Sequence, residues 1–252
     1  MGNIESYLSD VKKCENETIS VLKIPFELYE EFFEFYLKIS KKYGSGMPKG
    51  GKGPLALILL NHRILKSIYC LSELLKKGQY AEFHSILRDV FEALSKSEYI
   101  LHHPEISDSW LSGERIRFSK ISKKLSLPEE FNNFYGELCN YTHANCQGSK
   151  WEITVKQEKP KPGYRVISMS YEPVFQKPIA YSLIMYLLSF TIYAINTFII
   201  FTEKYYEDIN IEDKDEYKRL LKKMPLIDKD YSKFCSNPKN TEWRRKLNFE
   251  KE

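Results

Sequence analysis

Apolar residues recur at helical spacing along most of the chain. Phe26, Tyr29, Phe33, Tyr36 and Leu37 predict a helix over 25–43, opened by Pro25, whose fixed φ and missing N–H suit a first helical turn. Leu57, Leu60, Ile64, Ile68, Leu71 and Leu75 form the stripe of a second helix over 55–77, closed by Gly78. Phe83, Leu87, Val90, Leu94 and Leu101 mark a third over 80–101, which Pro104 ends. Shorter helices fit 105–125. Pro128, Glu129 and Glu130 then open a helix reaching about 143, with acidic side chains placed to favour the positive end of its dipole. An uncharged helix over 181–201 and a charged one over 212–223 complete the series. The first 24 residues read as an irregular or weakly helical lead, and 226–252 as a polar tail.

Only one stretch breaks the helical texture. WEITVK (151–156) and YRVISMS (164–170) are rich in β-formers and flank Lys-Pro-Lys-Pro-Gly, which reads as a hairpin. The expected fold is therefore an all-α multi-helix bundle with a small β-hairpin insertion at about 151–170. A single domain over 25–225 carries it, since no internal repeat or linker divides the chain.

The uncharged stretch 181–201 spans 21 residues, enough to cross a bilayer. Ser182, Ser189 and Asn196 recur in it every seven residues, with Tyr193 alongside. That mildly polar stripe favours a helix enclosed by protein over a membrane anchor. Composition agrees with a globular chain: hydrophobic residues make up 42%, and 18 Tyr and 15 Phe imply a core of large flat rings. A net charge of +4 is too mild to indicate nucleic-acid binding alone. Five scattered cysteines do not form a disulfide framework, and the N-terminus has no secretory apolar region, so a reducing cytoplasm is expected.

Four residues offer chemistry. Arg88 and Glu92 stand one helical turn apart in ILRDVFEAL, while Tyr135 and His143 lie in FYGELCNYTHAN. On a solvated face Arg88 and Glu92 are an ordinary ion pair worth a few tenths of a kcal/mol. In an interhelical crevice with Tyr135 and His143, Arg88 instead binds an anion or fixes Glu92, and His143 acts as acid or base near neutral pH. Asn61 interrupts the second helix's apolar stripe, so its amide needs partners or a ligand. The loop Gly46-Met-Pro-Lys-Gly-Gly-Lys-Gly53 lacks the Ser or Thr and the preceding strand of a phosphate-binding P-loop, but Lys49 and Lys52 beside a helix start remain candidates for an anion. Cys139, His143 and Cys146 lack a paired-cysteine knuckle and a defined fourth ligand, so neither metal nor cofactor is expected.

From Leu57 to Gln147 the chain resembles a family of prokaryotic helical proteins related to the HEPN superfamily. The likeness rests on the apolar helix before Gly78, on the run holding Arg88 and Glu92, and on the helix end with Tyr135, Leu138 and His143. It implies an all-helical, often dimeric bundle; many relatives are metal-independent RNases of defence systems, using Arg and His separated by four to six residues. Here Glu137, Leu138, Cys139 and Asn140 precede His143, with no arginine at that spacing. The resemblance therefore implies a noncatalytic component that binds a ligand or partner, such as RNA or a nucleotide, in a defence or stress system. An RNase using His143 and Arg88 is the alternative, and a membrane-anchored interaction protein comes third.

Overall fold

The computed structural model describes residues 3–44, 51–142, 173–206, 211–225 and 227. Among them lie nine α-helices and no strand: α1 (Asn3–Val21), α2 (Lys23–Gly44), α3 (Lys52–Lys76), α4 (Tyr80–His102), α5 (Ser107–Leu111), α6 (Phe118–Leu125), α7 (Glu129–Thr142), α8 (Lys177–Tyr205) and α9 (Ile211–Leu221). A single 3-10 turn, Pro104–Ile106, joins α4 to α5. The all-α expectation holds. The expected hairpin at 151–170 falls outside the described residues.

The lead, read from sequence as irregular or weakly helical, forms a regular helix, α1, of 19 residues. Its apolar contacts were hidden by a polar sequence, for only its C-terminal half is anchored. Cys14 and Thr18 are buried there, and the Thr18 hydroxyl donates to the Cys14 carbonyl at 2.8 Å. The remaining predicted helices appear with small shifts at their ends.

At the centre α3, α4 and α8 pack on one another, with α2 against α8 and α7 against α4. α4 is buried well beyond the stripe that predicts it. Ser95 and Tyr99, which fall away from the Phe83–Leu101 stripe, are nevertheless buried, as is His84. The short helices α6 and α7 return over that second face, so α4 is enclosed on nearly every side. Burial pushes the His84 imidazole down to about 4, so it stays neutral near pH 7 while its Nδ1 lies 2.7 Å from the Tyr80 carbonyl oxygen.

α8 shows what its heptad stripe means. Ser189 and Asn196 are exposed, in line with exposed Tyr186 and Ile200 and half-buried Ser182 and Tyr193, while Leu183, Leu187, Ala194 and Phe198 are buried. The mildly polar stripe is thus the helix's open seam, not a sign of protein on every side. By length and composition alone, both α3 and α8 are apolar enough to cross a membrane. In this fold their apolar faces meet each other and α4.

α9 closes the bundle through one buried carboxylate. Asp213, whose side chain is 4% exposed, accepts a hydrogen bond from Lys42 Nζ at 2.7 Å and one from Tyr43 at 3.1 Å, with Lys38 Nζ also 3.1 Å away. Burial alone would raise the Asp213 carboxyl, but those donors outweigh it and hold it below its ordinary value. A carboxyl depressed by folding adds stability above its unfolded pKa, and that stability is lost as pH falls through the folded one. Asp213→Asn is therefore expected to flatten the acid limb of the stability–pH curve below about pH 4. Urea midpoints measured from pH 7 downward check this; parallel curves for the two proteins would contradict it.

Candidate functional site

Three of the four residues singled out in the sequence meet between α4 and α7. Arg88 and Glu92 lie on successive turns of α4, and the first half of α7 lays Tyr135 across them. The Tyr135 hydroxyl donates to Glu92 Oε1 at 2.9 Å and accepts from Arg88 Nη2 at 3.3 Å. Arg88 Nη1 donates to Thr142 Oγ1 at 2.6 Å. The Arg88 Nε is buried 3.2 Å from Glu92 Oε1, a contact of charges without hydrogen-bond alignment. Lys96, one turn further along α4, donates to Glu92 Oε2 at 3.2 Å.

The set is half-buried: the Arg88 side chain is 18% exposed and that of Glu92 25%. The solvated-face reading of this pair is therefore set aside. Burial works against the Glu92 carboxylate, yet the Tyr135 hydrogen bond and the cations of Lys96 and Arg88 outweigh it and keep its pKa below the ordinary value. For Tyr135, burial and the neighbouring carboxylate push the phenol up, against the opposing pull of Arg88. At neutral pH the cluster consists of two cations, one carboxylate and a neutral phenol.

Tyr135 is held by rings as well as by charges. It stacks on Phe118 with centroids 4.1 Å apart, and Arg88 Cζ lies 5.4 Å from its ring centre. Phe91, buried next to Glu92 and three residues after Arg88, touches the rings of Phe118, Phe131, Phe134, Tyr135 and Phe190. This aromatic knot fixes α6 and α7 on α4.

Beside the cluster opens a cleft of about 300 Å³. Glu92, Lys96 and Tyr135 line it together with Trp110 of α5 and with Arg115 and Arg117 of the α5–α6 connection. Arg88 is absent from the lining. Sequence reasoning passed over Thr142, Lys96, Trp110, Arg115 and Arg117. A signal existed for Lys96, because Glu92 precedes it at i,i+4 in the favourable order.

The other candidates sit elsewhere. Asn61 accepts from Tyr36 and donates to Ser40 Oγ at 3.2 Å, so its buried amide is spent tying α3 to α2. Lys52 is exposed at the start of α3 and lies 3.2 Å from Asp108. His143 and Lys49 fall outside the described residues. No protein-family model matches this chain, and no curated protein or solved structure is detectably similar to it.

Proposed function

We propose that this chain is a noncatalytic, ligand-binding helical protein related to the HEPN superfamily, serving a prokaryotic defence or stress response in the cytoplasm. The observation that carries the reading is the engagement of Arg88. Its guanidinium is taken up by Glu92, Tyr135 and Thr142, and it does not line the cleft. Transition-state stabilisation requires a cation whose best interaction forms only as charge develops on the substrate. Arg88 already has its carboxylate in the resting protein. It clasps α7 to α4, and the clasp lines a concave site of the size used for small ligands.

The test is RNA cleavage by purified wild type, Arg88→Ala and His143→Ala, with EDTA present. No cleavage above background by any of the three is expected. Cleavage by the wild type that both variants lose, with circular dichroism unchanged, would replace this reading with a metal-independent RNase.

A further inference from the structure

α3 is a central helix of 25 residues whose start carries no cap. The first amides of any helix find no carbonyl within it, and a Ser, Thr, Asp or Asn side chain commonly accepts from them. Here the cap position is Gly51, no side chain accepts there, and the first turn holds no acid. Pro54 brings no N–H, so the donors are the amides of Gly51, Lys52 and Gly53. Two hydroxyls converge on the same turn. The point one bond out from Gly53 Cα, where a side chain would begin, lies 3.7 Å from Ser107 Oγ and 3.5 Å from the Tyr205 hydroxyl oxygen. Ser107 is 0% exposed, and its Oγ has no hydrogen-bond partner among the described residues. The Tyr205 hydroxyl has none among them either.

We propose that the start of α3 binds a small tetrahedral oxyanion, of the class of phosphate and sulfate, on its first amides and the hydroxyls of Ser107 and Tyr205. The positive end of the helix dipole favours an anion there, and amides aligned with the axis suit its oxygens. Each hydroxyl donates to a charged oxygen, the stronger kind of hydrogen bond. Gly53 permits the approach. No Cβ stands between the turn and the two hydroxyls, and Pro104 closes the third side, its Cβ 3.5 Å from the same point. Lys52 adds charge: its Nζ lies 3.2 Å from Asp108, but both side chains are 64% exposed, so the pair is weak and the lysine is able to turn to an anion. Lys204 Nζ, 5.5 Å from the Tyr205 ring centre, brings a second cation near. Amides, hydroxyls and ammonium groups all donate, so sulfate, which carries no proton, fits as well as phosphate. The site is separate from the cleft, since α5 reaches the cleft through Trp110 and α3 through Ser107.

Equilibrium dialysis of the full chain against radiolabelled inorganic phosphate, in chloride buffer of fixed ionic strength, tests this. Saturable binding is expected, with sulfate displacing the phosphate. Ser107→Ala and Tyr205→Phe are each expected to weaken it about tenfold or more, through loss of a hydrogen bond to a charged group. Asp108→Asn is expected to tighten it by removing a like charge. Urea unfolding without phosphate separates this from a structural role: Ser107→Ala should then match the wild type, because its hydroxyl bonds nothing in the fold. Glycerol 3-phosphate identifies the source, since displacement marks the phosphoryl end of a larger molecule and no displacement a free oxyanion; the site stands in both cases. Folded wild type without saturable binding, or both hydroxyl variants binding undiminished, overturns the proposal. So does stabilisation by phosphate that never saturates and is equal in every variant, the general effect of an excluded salt. RNA cleavage would sink the noncatalytic reading of the cleft and leave this site standing.

Discussion

Phe91→Ala is expected to destabilise the protein by about 3–5 kcal/mol, the range for emptying a fully packed aromatic site. The ring is 2% exposed and touches five others drawn from α6, α7 and α8. Its loss opens a cavity where four elements meet, and rigid rings collapse into such a space poorly. Urea denaturation followed by circular dichroism should show a lower midpoint with an unchanged slope. The melting temperature should fall by roughly 6–20 °C, given about 2–4 °C per kcal/mol for a chain of this size. Because Phe91 also buttresses Tyr135, the variant should lose ligand binding in the cleft before it loses its helices. A loss below about 1 kcal/mol would mean that the knot does not organise α7.

The second large effect is expected at Gly78. The α3–α4 turn ends α3 with the Gln79 N–H bonded to the Leu74 carbonyl at 3.0 Å and the Gly78 N–H to that of Leu75 at 3.2 Å, the paired bonds of a Schellman motif. Gly78 holds φ +70°, and a Cβ there would stand 2.6 Å from Cys14 Sγ. Alanine therefore meets two penalties: about 1–2 kcal/mol for left-handed backbone and about 1–3 kcal/mol for overpacking against α1. Cys14→Ala removes the sulfur, so the double variant should recover the steric part and retain the backbone part. Full recovery by Cys14→Ala would show that the turn itself carries no strain from alanine.

These two positions also mark what the sequence disclosed. Gly78 was readable as a helix stop, because glycine punctuates an apolar repeat and Pro and Gly bracket the neighbouring helices. Its contact with Cys14 was not, since α1 offered too polar a pattern to announce a packed helix. Phe91 lies off the stripe that defined α4, and only the return of α6 and α7 makes that second face interior. The same event turned Arg88, Glu92 and Tyr135 from surface candidates into a clasp: their residue types and helical spacing were legible, their burial was not. Arg115 and Arg117 sit in a short irregular connection, where no period flags a side chain and where a cleft exists only after folding.

The clasp itself gives the most direct measurement. A residue held for catalysis is commonly neutral or even costly to stability, whereas a structural tether costs stability when cut. Arg88→Met, Tyr135→Phe and the double variant, compared by urea denaturation, form a cycle that isolates their mutual coupling. Arg88→Met is expected to lose about 1–3 kcal/mol, because Glu92 is left short of a cation, with coupling of at least about 0.5 kcal/mol to Tyr135. An Arg88→Met protein as stable as the wild type, with no coupling to Tyr135, would contradict it and return Arg88 to the list of groups reserved for a substrate.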